Sequence, residues 1–89
     1  MSLWQVAVDP AAARDLRKLA NRDRQRVMRF LRERVATDED PRRMGHALAG
    51  IFAGLWSYRV GDLRLIASIR DHVVTVQVLR VGNRREIYR

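Results

Sequence analysis

The chain has no cysteine. That removes disulfides, thiolate catalysis and thiolate metal ligation together, and leaves the fold to packing alone. Histidine is also scarce. His46 and His72 are far apart and give no metal-ligand spacing, so neither a metal nor any other cofactor is expected. No apolar run approaches the ~20 residues that span a bilayer. The start, MSLWQVAVDP, has neither the basic segment nor the long apolar segment of a signal peptide. A cytoplasmic protein with no membrane partner is the expectation. Repeats, low-complexity tracts and linkers are absent too, so the 89 residues read as a single domain, 1–89.

Lysine is nearly missing. Lys18 is the single lysine among 18 basic residues, which stand against 10 acidic ones for a formal net charge of +8. The guanidinium fork matches phosphate bidentately and stacks on bases, whereas an ammonium acts as a point charge. An arginine-rich chain of this size suggests nucleic acid, or an acidic protein that neutralises it. A GC-rich genome would leave the same excess without any function. Hydrophobic residues make up 47% of the chain, enough for a globular core.

Leu3 to Val8 is β-branched and aromatic-rich and predicts a strand. Asp9-Pro10 reads as an N-cap followed by proline at the first helical position. From Pro10 to about Ala20, Ala12, Ala13, Leu16, Leu19 and Ala20 share a helical face, opposite Arg14, Arg17 and Lys18. Asn21 can cap a second helix from Arg22 to Val35 or Ala36. There Val27, Leu31 and Val35 repeat every four residues, and Arg22, Arg26, Arg29 and Arg32 lie opposite as a solvated face. The acidic stretch Thr37 to Pro41 ends this helical hairpin. A loop follows, with a short helical turn around Met44 to Leu48. From Leu55 the period changes to two. Leu55–Val60 and Leu63–Ile69 are strands about a Gly61-Asp62 turn, and after Asp71-His72 the run Val73–Leu79 fits a central strand. The order is one strand, two helices and a three-stranded meander. The fold class is α+β: a helical hairpin on one face of a mainly antiparallel four-stranded sheet. The other face and the tail are left for function.

The hairpin L55-W-S-Y-R-V-G-D-L-R-L-I66, the strand Val73–Val78 and the ending V81-G-N-R-R-E-I-Y88 resemble the RelE/ParE superfamily of bacterial and archaeal toxins. The likeness covers nearly the whole chain, and the β-α-α-β-β-β order suits that family. RelE-like members are messenger-RNA endonucleases that cut codons in the ribosomal A site. ParE-like members share the fold, poison DNA gyrase and lack the nuclease residues. Both kinds are held inactive by an antitoxin.

What the resemblance implies for this chain is metal-free RNA cleavage. A 2′-hydroxyl is deprotonated, attacks in line, and leaves a 2′,3′-cyclic phosphate. Arg84 matches the arginine that stabilises the scissile phosphate and helps protonate the leaving group. Tyr88 matches the tyrosine that activates the 2′-hydroxyl, and Arg64 joins them as a phosphate clamp. Arg59, Arg85, His46 and Arg89 are candidate RNA-binding residues around that set. A tyrosine is a base only if neighbouring cations lower its pKa from about 10; otherwise Tyr88 would orient or stack on a base. The implied partners are a RelB-like antitoxin offering an acidic amphipathic segment, messenger RNA in the A site, and operator DNA through the antitoxin complex alone. The bland readings are that Tyr88 packs on the sheet edge, that Arg85 pairs with a surface acid, and that Arg59 and Arg64 pair with Asp62. Trp4 and Trp56 read as core or antitoxin-contact residues, and His72 as an exposed turn residue. Ser57 and Arg59 stand where the best-studied nucleases carry two lysines. A gyrase poison and a non-toxic DNA-binding co-repressor are the alternative functions.

Overall fold

The computed structural model describes residues 3–87, with the backbone alone at Arg84. Strand β1, Gln5–Val8, runs into helix α1, Pro10–Lys18. Asp9 Oδ2 accepts from the Ala11 N–H at 3.4 Å, and Pro10 takes the first helical position, where a missing N–H costs nothing. Helix α1 buries Ala12 and Leu16. Helix α2, Asn21–Phe30, begins one residue earlier than Asn21 as a cap would place it. Ala20 occupies the cap position and has no side-chain hydrogen bond. The Asn21 oxygen instead accepts from Arg24 Nη2 at 3.0 Å, while Arg24 Nη1 donates to the Leu16 carbonyl at the end of α1. One guanidinium thus ties the two helices together.

The helical stripe continues past Phe30 through a wider π-type turn, Leu31–Val35, closed by the Ala36 N–H on the Leu31 carbonyl at 2.9 Å. Val27, Leu31 and Val35 are all buried there, as their spacing of four predicts.

The sheet has five strands rather than four, in the order β1-β5-β4-β3-β2. β3 is Trp56–Val60, β4 Leu63–Arg70 and β5 Thr75–Asn83. β1 lies parallel to β5, and the other pairings are antiparallel. The added strand β2 is His46–Ala47, paired with Ser57 and Trp56, where a helical turn was expected. The turn of helix sits just upstream, Pro41–Met44, because Asp40 caps the Arg42 N–H at 3.0 Å and Pro41 starts it. Val73 and Val74 also leave the predicted strand. Val73 ends a short 3-10 turn and Val74 adopts φ +48°, closed by the Val74 N–H on the Asp71 carbonyl. Neither valine can then join the ladder, so β5 starts at Thr75. It runs four residues further than the apolar run suggests, because pairing with β4 rewards its polar end as well.

The core lies between the helices and one sheet face: Ala12, Leu16, Val27, Leu31, Tyr58, Val60, Leu65, Val76, Val78 and Val81. Trp4 and Trp56 pack against it, half-buried. Among the described residues no helix is long and apolar enough to cross a membrane.

Candidate functional site

Strand alternation decides which residues the other face carries. Tyr58 and Val60 point into the core, so Ser57 and Arg59 point away; Leu63 and Leu65 point in, so Arg64 and Ile66 point away. The hairpin register then sets Arg59 directly across from Arg64, and Arg64 across from Gly82 on β5. Like charges facing each other on adjacent strands repel. Among the described residues neither guanidinium forms an ion pair. Arg64 Nη1 donates to the Leu63 carbonyl and Arg59 Nε to the Gly61 carbonyl, both at 3.4 Å, and Asp62 forms no ion pair with either.

A third guanidinium approaches from the helices. Gly61, at φ +60°, turns the β3–β4 hairpin, and a Cβ placed there would stand 2.7 Å from Arg26 Nη2. The positive φ favours glycine there, and any side chain would also have to move the Arg26 guanidinium aside. Arg26 read from sequence as part of a solvated helix face. What brings it to the hairpin is tertiary packing, which the helical period does not encode.

Several of the acids pair with other arginines. Arg42 sits between Asp40 and Asp71 with its carbon 5.8 Å from the centre of the Trp56 ring, and Arg43 pairs with Glu39. The hydrogen bond to Arg42 holds the Asp71 carboxyl below its ordinary value. His46 lies on β2 opposite Ser57, exposed and at the far edge of the sheet from β5. It is therefore set apart from the end of β5, although on the same face as Arg59. His72 is exposed in its turn, as expected.

Beyond Asn83 the chain enters a short helix, α3, Arg84–Ile87. The Asn83 oxygen accepts from the Glu86 N–H at 3.2 Å. Ile87 is only 5% exposed and lies over Gly82, on the face that Arg59 and Arg64 share. The tail therefore folds onto the face expected to be open. Arg85 is exposed on α3 and pairs with no acid among the described residues. The Arg84 backbone follows directly on Asn83, which pairs with Leu63, so residue 84 is carried to the end of the sheet where the hairpin turns. Tyr88 and Arg89 lie outside the described residues.

Two residues that sequence patterns did not single out fix the end of β5. β1 pairs only as far as Val78, which leaves the outer edge of β5 beyond it without a strand. Asp15 of α1 fills that role. Its Oδ2 accepts from the Val81 N–H at 2.9 Å and from Arg80 Nε at 2.8 Å, and its Oδ1 from Arg80 Nη2 at 3.3 Å. A register shift in β4–β5 at Ile66/Ala67 accompanies this clasp. A groove of about 410 Å³ runs beside it, lined by Lys18, Arg80, Asn83 and Glu86 among others.

Burial alone pushes the Asp15 carboxyl up. The Arg80 hydrogen bond, the Val81 N–H and the charges of Arg80 and Lys18 outweigh that and hold it below its ordinary 3.8. A lowered carboxyl stabilises the fold above its unfolded pKa and loses that contribution as pH falls through the folded value. Asp15→Asn should therefore unfold at lower urea at pH 7. The deficit should be about 1 kcal/mol, since half-exposed Arg80 is screened by solvent. It should shrink as pH falls from about 4 through the lowered folded value, where the wild-type carboxyl takes up its proton. An equal deficit at pH 7 and pH 3 would show that charge contributes nothing.

Chemically, the site pairs two permanently charged donors that form no ion pair among the described residues, at a sheet end that also carries the backbone of Arg84 and, beside Gly82, the Glu86 carboxylate. It suits a phosphodiester whose charge grows during reaction. Among the described residues no three His, Asp or Glu side chains converge on a metal position.

The comparisons with known proteins agree with this architecture. Residues 6–88 match the family model described as the ParE toxin of the type II toxin–antitoxin system parDE. The chain is 37% identical to a Mycobacterium tuberculosis protein named toxin RelG, over 97% of both chains. It is 30% identical to the same organism's toxin RelE, over 97% of this chain and 87% of that one. Among solved structures it matches the M. tuberculosis toxin–antitoxin complex RelBE2 at TM-score 0.86 and 35% identity, over 97% of both chains. The isolated Escherichia coli RelE toxin, at 24% identity and TM-score 0.69, shares the fold. A sheet, a helical hairpin and a basic tail met first as sequence patterns thus place the chain in the RelE/ParE family, as a toxin of a type II toxin–antitoxin system.

Proposed function

We propose that this protein is a ribosome-dependent messenger-RNA endonuclease, held inactive by a RelB-like antitoxin. The observation that carries the reading is the pair of facing arginines, Arg59 opposite Arg64, at the sheet end where the chain enters α3 at Arg84. Fixed cations set opposite one another cost stability through repulsion, and a phosphate bound between them removes that cost. The names of the relatives, toxins RelG and RelE, support the same reading.

In the proposed reaction Arg64 and Arg59 hold the RNA backbone and Arg84 meets the scissile phosphate. Tyr88 receives the proton from the 2′-hydroxyl, or orients the sugar that bears it. The attacking oxygen bonds to phosphorus as the 5′-oxygen leaves with a proton, giving a 2′,3′-cyclic phosphate and a 5′-hydroxyl. Guanidinium donors fixed before the charge develops stabilise the phosphorane without reorganising.

Primer extension on messages bound to translating ribosomes tests this. Wild type should give cuts at the A-site codon, and Arg84→Ala with Tyr88→Phe should abolish them. Absence of wild-type cuts, or undiminished cutting by the double variant, would overturn the reading. A second reading, a gyrase poison without catalysis, is favoured by the ParE description of the matched family. It predicts a DNA-damage response on expression that survives both substitutions. The antitoxin follows from the company of the matched structure, a toxin–antitoxin complex. Co-expression with the product of an adjacent small gene should yield one co-purifying assembly.

A further inference from the structure

α3 is four residues long, too short to hold itself together in isolation. Two contacts account for its order. The Asn83 side chain accepts from the Glu86 N–H at 3.2 Å, closing the turn from its N-terminal side. Ile87, 5% exposed, closes it from the other side by lying on the sheet over Gly82. A Cβ at position 82 would stand 3.9 Å from Ile87 Cβ and 3.8 Å from Glu86 Oε2. A methyl group would fit there and a branched side chain would not. Ile87 is buried apart from the helix-side core, on the face shared by Arg59, Arg64 and Ile66.

The apolar seat and the arginine row therefore share one strand pair. Arg64 faces Gly82, and Gly82 carries Ile87. A buried isoleucine beside two facing cations is an odd choice for a surface that only binds RNA, where a polar residue would do. It is a sensible choice where the direction of the chain must be fixed by packing, because packing discriminates position far more sharply than screened charge does.

We infer that Ile87, seated on Gly82 and backed by the Asn83 cap, fixes the course of the chain as it leaves the sheet beside the arginine pair, and so acts through its chain neighbours Arg84 and Tyr88 without touching the substrate. This rests on the endonuclease reading above. Tyr88 is one peptide bond beyond Ile87, about 3.8 Å between Cα atoms, so a loose seat at 87 becomes a loose group at 88. Misplacement by about 1 Å can cost about 10²-fold in rate.

The experiment is single-turnover cleavage of a programmed A-site codon at increasing toxin concentration. It compares wild type with Ile87→Ala, Ile87→Val, Gly82→Leu and the Gly82→Leu/Ile87→Ala pair. Circular dichroism and urea midpoints are measured on the same preparations. Ile87→Ala should lower the maximal rate about 10- to 100-fold and leave the half-saturating concentration within about twofold. Ile87→Val, which keeps most of the seat, should recover most of the rate. Gly82→Leu should reproduce the loss while leaving Ile87 in the chain. The pair should be no slower than either single variant, since both remove one contact.

Wild-type rates in folded Ile87→Ala, or a loss confined to the half-saturating concentration, would overturn the positioning role alone. So would fully multiplicative losses in the pair. Failure of wild type itself to cut would overturn the endonuclease reading and this role together.

Discussion

If the protein cuts messages as proposed, alanine in place of Arg84 should lower the rate of A-site cleavage about 10²- to 10³-fold, a loss of roughly 3–4 kcal/mol of transition-state stabilisation. The magnitude follows from what is removed. During in-line attack the non-bridging phosphate oxygens gain charge that the ground state lacks, and a donor fixed beforehand is worth most at that moment. Arg59 and Arg64 stand on a rigid hairpin and can hold the backbone throughout, so Arg59→Ala should act chiefly on the half-saturating concentration. Arg84 begins α3, at the end of β5 that Asp15 and Ile87 fix from two sides. Lysine at position 84 should restore only part of the loss, because a point charge cannot make two parallel hydrogen bonds to the phosphate. Equal losses for Arg59→Ala and Arg84→Ala in the maximal rate would mean that the row acts as one undivided charge cloud, and the assignment of a separate clamp would fall.

The largest effect on stability should come from Tyr58. Its ring is 1% exposed and packs at 5.9 Å from the Phe30 ring with the planes tilted by 59°; its hydroxyl donates to the Pro41 carbonyl at 2.9 Å. Tyr58→Ala should cost about 3–5 kcal/mol, the usual range for truncating a buried aromatic residue. That is a third or more of the stability expected for a domain of this size. Tyr58→Phe should cost about 1 kcal/mol, for the lost hydrogen bond and the buried carbonyl it strands. The same residue gives a pH test. Burial, with the Asp40 charge adding to it and Arg42 and Arg43 opposing it, pushes the Tyr58 hydroxyl from 10.0 up to about 12. A raised pKa favours the protonated form in the fold, so the contribution is complete below about pH 10 and is lost as pH rises toward 12. Urea midpoints of wild type should therefore fall over that interval, and those of Tyr58→Phe should fall less. Parallel curves would sink the assignment to Tyr58. The consequence for function is direct: Tyr58 facing the core is what turns Arg59, its neighbour in the strand, to the other face.

Much of this was legible in the chain. Asp9-Pro10 gave the start of α1, the spacing of Val27, Leu31 and Val35 gave the buried side of the second helix, and Gly61-Asp62 gave the hairpin turn. Period two in the hairpin was enough to set Arg59 and Arg64 on a common face. Strand β2 was not legible, because two residues carry no period; it exists because Trp56 and Ser57 offer a free edge. Val73 and Val74 misled by composition. β-branched residues favour strands, yet a chain reversal was needed between β4 and β5, and Val74 adopts its unfavourable φ of +48° to provide it.

By itself, then, the sequence determined what is local: where helices begin, which side of each element is apolar, and that arginines outnumber acids on the sheet. Periodicity and capping act over a few residues, so they can be read from a few residues. The tertiary structure decided what is distant. It set Gly82 against Arg64, brought Arg26 to Gly61, closed the free edge of β5 with Asp15 from 66 residues away, and folded Ile87 back onto the sheet. Those contacts depend on strand register and packing shape. Both are properties of the whole chain's competition for burial, and no short stretch of it contains them.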